Sequence, residues 1–131
     1  MPHSTAAQHA QHDGVATAST ILKAMANQHR LLALLALAQR PLAVHELNRH
    51  LPLAQSALSQ HLARLREAGL VVCQRDGSRI RYALADERVR RLVDTLCAEY
   101  QIPRQSPSVK RPAMRPVQEE PAAAVEGAAR V

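Results

Sequence analysis

Between Ala54 and Gly69 the chain reads Ala-Gln-Ser-Ala-Leu-Ser-Gln-His-Leu-Ala-Arg-Leu-Arg-Glu-Ala-Gly. At 3.6 residues per turn, Ser56, Gln60, Ala63 and Glu67 fall on one side, flanked by Ser59 and Arg64. Leu58, Leu62 and Leu65 fall on the other and make an apolar stripe. Hydroxyls, a carboxamide and a guanidinium on one short face are the groups that hydrogen-bond to base edges. Gln60 suits the paired donor and acceptor of adenine, while the serines suit bases or phosphates. Gln55, at the start of the same segment, joins them. Taken alone, the segment favours this reading no more than that of an ordinary solvated helix face. His61 lies near the Leu58/Leu62 seam, so it is read as structural and hydrogen-bonded, not base-reading.

Other chemistries find little support. There is no pair of carboxylates, no nucleophile beside a base and no glycine-rich phosphate loop in a chain with four glycines. No enzyme activity and no cofactor are expected. His3, His9 and His12 crowd the first stretch, but only Asp13 could extend them, and they are read as tail, not as a metal site. The two cysteines, Cys73 and Cys97, cannot build a disulfide framework and are expected as reduced thiols.

The elements that would hold the reading face follow from periodicity. Met1 to Gly14 is polar and aperiodic and is expected to be a disordered arm. Ala18, Ile21, Leu22 and Met25 mark a first helix. Asn27 is placed to cap a second, Gln28 to about Gln39, whose leucines leave little polar face, as a central core helix requires. Arg40-Pro41 breaks it. Val44, Leu47 and Leu51 give a short third helix, and Leu51-Pro52-Leu53 turns into the fourth, forming a helix-turn-helix. Ala54 stands where a capping Ser, Thr or Asp is preferred, and Gly69 stands where a left-handed residue ends the helix.

From Leu70 the period becomes two. Leu70–Arg75 and Arg79–Leu84 flank Asp76-Gly77, which predicts a hairpin in which Arg75 pairs with Ser78, Cys73 with Ile80 and Val71 with Tyr82. Val72, Gln74, Arg79 and Arg81 then share the second face, with Arg75 at the tip. Such a basic hairpin is a wing able to lie along phosphates. Edge-strand protection accounts for part of its charge, but not for its place directly after a helix-turn-helix. Asp86 caps a last helix to about Gln101. Its stripe of Val89, Leu92, Val93, Leu96 and Tyr100 is assigned, with Ile21, to a dimer interface, packing on the protein's own core being the alternative. Residues 103–131 are Pro-, Ala- and Ser-rich and expected to be a disordered tail, in which Lys110, Arg111 and Arg115 are read as solvated.

The totals agree. A chain of 131 residues, 47% hydrophobic with neither Phe nor Trp, can build one Leu/Ala/Val core, which favours packed helices. The expected fold is mainly α with a small β-hairpin, in a domain over 15–102. Seventeen Lys/Arg against eleven Asp/Glu give a formal charge of +6, suited to a polyanion. Twelve of those cations and seven of those acids lie between Val15 and Ile102, so the excess belongs to the domain itself. No apolar run spans a bilayer, and a cytoplasmic location without membrane partners is expected.

This order resembles the ArsR/SmtB family of winged-helix repressors over roughly residues 17–101. The resemblance is carried by Lys23-Ala-Met-Ala-Asn-Gln-His-Arg-Leu31, Ser56-Ala-Leu-Ser-Gln-His-Leu-Ala-Arg-Leu-Arg66, Gly69-Leu-Val71 and Arg81-Tyr-Ala-Leu84. It implies a cytoplasmic homodimer on an inverted repeat of double-stranded DNA, released by a small inducer. Gln55, Ser56, Ser59, Gln60 and Arg64 would enter the major groove, and Arg75, Arg79 and Arg81 would hold the backbone. The metal-sensing members' thiolates are replaced here by Asn48 and His50, and Arg88 stands where zinc-sensing members have the first His after Asp86; no metal site is expected. "Ser-Ala-Leu-Ser-Gln-His-Leu" is similar to the persulfide- and redox-sensing branch (BigR- and HlyU-like repressors). Leu35 and Gln101 occupy that branch's cysteine positions. Cys73 and Cys97 are the remaining candidates for redox chemistry, including a Cys97–Cys97 bridge across the dimer, with packing as the favoured role. A protein-interaction module, or a DNA-binding dimer without an inducer, is the second reading.

Overall fold

A computed structural model describes residues 2–104. The elements run α1 (Pro2–Met25), α2 (Gln28–Leu37), α3 (Val44–Asn48), α4 (Gln55–Glu67), β1 (Val71–Asp76), β2 (Arg79–Leu84) and α5 (Glu87–Glu99). Asn27 caps α2 as expected, its side chain accepting from the N–H groups of His29 and Arg30 at 2.9 and 3.0 Å. Asp86 does the same for α5 at Val89 N–H, 3.1 Å, and this hydrogen bond holds its carboxyl below the usual carboxylate range. Gly69, at φ +80°, ends α4. Its N–H donates to Arg66 O and that of Leu70 to Leu65 O, the pair of bonds that closes a helix on a left-handed residue.

The core lies where α2, α3 and α4 meet, with Leu34, Leu47, Leu58, Leu62 and Leu65 sealed from solvent. Burying a leucine side chain contributes roughly 1.5–3 kcal/mol. The α3–α4 turn is held by one side chain: Asn48 Nδ2 donates to Leu53 O at 2.8 Å and to Leu51 O at 3.4 Å. Leu51 is buried in that turn, because α3 stops at Asn48, earlier than its apolar spacing suggests. α5 is tied back to α2 by Arg90 Nη1, which donates to Ala38 O at 2.6 Å.

Three expectations need correction. Residues 2–14 are helical and continue α1 rather than forming an irregular arm. Once Ala18–Met25 has nucleated a turn, extension through Ala and Gln costs little, although every residue from Thr5 to Thr20 is exposed. The hairpin turn sits one residue later than expected: Asp76 pairs with Arg79, Cys73 with Tyr82 and Val71 with Leu84. Gly77, at φ +66°, takes the first central position, which a turn centred on Asp76-Gly77 would have given to aspartate. The two faces keep their residues, because the slide moves both strands by one. β2 also gains a neighbour absent from the sequence reading: Leu42 N–H donates to Tyr82 O at 2.9 Å and Tyr82 N–H to Leu42 O at 2.7 Å.

The third correction concerns α5. Val89, Val93 and Cys97 are buried in the chain's own core, while Leu92 and Tyr100 face outward. The stripe is therefore two stripes. Val89 and Val93 belong to the core rather than to an interface surface, and Ile21 and Leu96 are half-buried against it. Cys97, six per cent exposed, packs into the same core, the role favoured for it over a bridge to a second copy. Residues 105–131, and with them Lys110, Arg111 and Arg115, lie outside the described residues.

Candidate nucleic-acid interface

On α4 one face is spent on the core and the other is free. Gln55, Ser56, Ser59, Gln60 and Arg64 are all exposed, opposite Leu58, Leu62 and Leu65. Ala54 is the N-cap and makes no side-chain bond to the helix, so the first N–H groups of α4 stay open to solvent. Arg64 and Arg66 occupy the last turn, where cations are favoured by the helix dipole.

The wing projects beyond the helices. Its base is packed, with Val71 buried and Tyr82 and Leu84 half-buried, but Arg75, Arg79 and even apolar Ile80 are exposed toward the turn. Arg79 and Arg81 share a face with Val72, Gln74 and Asp76. Arg81 is half-buried and lies 3.8 Å from Asp76, so it is partly engaged within the hairpin, whereas Arg75 and Arg79 are free to reach a phosphate. Cys73 is half-buried on the other face beside Tyr82. Burial, and then the neighbouring Cys73 thiol, push the Tyr82 phenol above its ordinary value.

His61 is structural, as its place on the wheel indicates. Its Nδ1 meets Arg30 Nη1 at 3.2 Å, and its ring lies 5.7 Å from that of His29 between centroids. Because arginine only donates, Nδ1 must be the unprotonated nitrogen. Sequence reasoning missed Arg30. It is eight per cent exposed, and its Nε donates to Ala24 O at the end of α1. The available signal was a single arginine in the otherwise apolar run of α2. Among the described residues no group of three or more His, Cys, Asp or Glu is placed to hold a metal ion, and no helix is long and apolar enough to cross a membrane.

Residues 27–72 match the model of the bacterial regulatory protein, arsR family. The transcriptional activator HlyU of Vibrio cholerae is 44% identical over 81 residues, covering 62% of this chain and 75% of the relative. The chain belongs to the ArsR family. The biofilm growth-associated repressor of Agrobacterium fabrum is 38% identical over 86 residues, 66% of this chain and 74% of that one. Among solved structures, a homodimeric winged helix-turn-helix DNA-binding domain from Mycobacterium bovis superposes with a TM-score of 0.65 at 30% identity, covering 70% of this chain and 84% of that one. As in this ArsR-family fold, the chain is a winged helix-turn-helix: α3 and α4 are the motif and β1–β2 the wing.

Proposed function

We propose that this protein is a homodimeric transcriptional repressor that occupies an inverted repeat in duplex DNA and is released by a small inducer. α4 enters the major groove, where Gln60 reads adenine and Gln55, Ser56, Ser59 and Arg64 contact bases or phosphates. Arg75 and Arg79 hold the flanking backbone, with Arg81 a weaker contributor because Asp76 shares its charge. One observation carries the reading: a helix sealed along its leucines presents exposed Gln, Ser and Arg side chains directly beside a protruding basic hairpin.

The dimer is supported by the apolar residues left open on α1 and α5, namely Val15, Leu22, Leu92 and Tyr100. The homodimeric state of the Mycobacterium bovis domain supports it too. The test is fluorescence anisotropy with a duplex bearing an imperfect inverted repeat, its half-sites about one helical turn apart. Tighter binding than to a scrambled duplex at physiological salt is expected. Equal affinity for the two would overturn the reading.

A further inference from the structure

Arg30 is a buried cation at the junction of three elements. Its Nε is bonded to the Ala24 carbonyl in the last turn of α1, and its Nη1 to His61 on α4, while its own backbone begins α2. Among the described residues no carboxylate lies within ion-pair distance of it. A charge this deep is tolerated only when its donors find acceptors. The Ala24 carbonyl is one such acceptor, at the negative end of the α1 dipole. The other is the imidazole, and it accepts only while Nδ1 carries no proton.

We propose that Arg30 and His61 are a positioning pair for the recognition helix, and that a proton on His61 Nδ1 releases α4 from its DNA-reading pose. The inference rests on the DNA-binding reading above. Protonation turns the acceptor into a donor that points at a guanidinium. It also places the new charge beside His29 and Arg30 of α2 and Arg64 of α4. Glu67, the one acid in the open cleft lined by Arg30, His61 and Arg64, is exposed at the end of α4, and the Ala24 carbonyl of α1 is already engaged by Arg30. Gln60 lines the same cleft and is the residue before His61, so displacement there moves the group assigned to base reading. Burial, then the charges of Arg30, His29 and Arg64, hold the imidazole below its ordinary value. The sign follows. The docked form takes up its proton later than the released form does, so docking is complete above the ordinary imidazole range and weakens as pH falls below it.

This direction is diagnostic. His9, His12, His45 and His50 are exposed, and positive charge gained at a protein's surface tightens its hold on a polyanion. The experiment is an anisotropy titration of the operator duplex with the full chain between pH 8 and pH 5, for wild type, His61→Asn and His29→Asn. Asparagine at 61 keeps an acceptor at the δ position and does not titrate. Wild type and His29→Asn should lose affinity by about tenfold per pH unit once His61 is charged, while His61→Asn stays level or gains. A wild type that binds tighter in acid, or a fall retained in His61→Asn or abolished in His29→Asn, would overturn the proposal. NMR of wild type without DNA separates the two readings. Amide shifts along α4 must follow the His61 titration, whatever happens with the duplex; shifts that do not follow it sink the proposal. Absence of duplex binding at every pH, with those shifts present, would sink only the DNA reading.

Discussion

Gln101 shows how closely single residues answer to local backbone rules. It is the one non-glycine at positive φ among the described residues, +54°, and it ends α5 as Gly69 ends α4, with Ile102 N–H donating to Cys97 O at 3.0 Å. A side chain in the left-handed region is strained, so Gln101→Gly should raise stability by roughly 1 kcal/mol. A higher midpoint in thermal or urea denaturation, with the α5 end retained, is the expected result. At this scale the sequence was informative wherever the cause was local. Asn27, Gly69 and Asp86 all take the capping positions their types suggest, because a cap bonds within a few residues of itself. His61 was legible as structural from the wheel alone. Its partner was not, since Arg30 is 31 positions away and only the packing of α2 on α4 brings the two together.

Among the elements, the helix-turn-helix and the wing were recognisable because each has its own period and its own punctuation. What periodicity could not decide was the hairpin's exact turn. Two-residue alternation survives a slide of one residue in both strands, and only the demand of Gly77 for the first central position selects the register. The length of α1 was missed for a different reason: from Thr5 to Thr20 it buries nothing, so no apolar pattern records it. The slide leaves Arg79 exposed at the strand start and Arg81 beside Asp76, so their contributions should differ. Arg79→Ala should weaken binding to every duplex alike and lower the slope of log K against log salt by about 0.9, the effect of one lost phosphate contact. Gln60→Ala should instead flatten the preference for the operator over scrambled DNA with the salt slope unchanged. Salt titrations of both variants on both duplexes check this. A change of specificity alone in Arg79→Ala would remove the wing from the phosphate backbone.

For the whole molecule, what matters is where the last helix buries its apolar residues. The sequence showed one stripe and assigned it to a second subunit. In the structure Val89, Val93 and Cys97, spaced by four, turn into the core, and Leu92 and Tyr100 turn out. Sequence spacing could not separate these, because both sets recur within one broad helical face and only tertiary packing says which edge of it meets the core. The two sets now predict opposite phenotypes. Val93, two per cent exposed, should behave as core: Val93→Ala removes two buried methyl groups and should cost about 2 kcal/mol in denaturation while the protein stays dimeric. Leu92, forty per cent exposed, should behave as interface. Leu92→Glu should keep its helical circular dichroism yet scatter as a monomer, because a charge is tolerated in water but not between two apposed helices. That monomer should also lose most of its advantage on the inverted repeat over a single half-site, since linking two modest contacts is what gives a dimer its operator affinity. A Leu92→Glu protein that remains dimeric would move the interface off the outer face of α5, leaving the exposed side of α1, with Val15 and Leu22, as the surface that joins two copies.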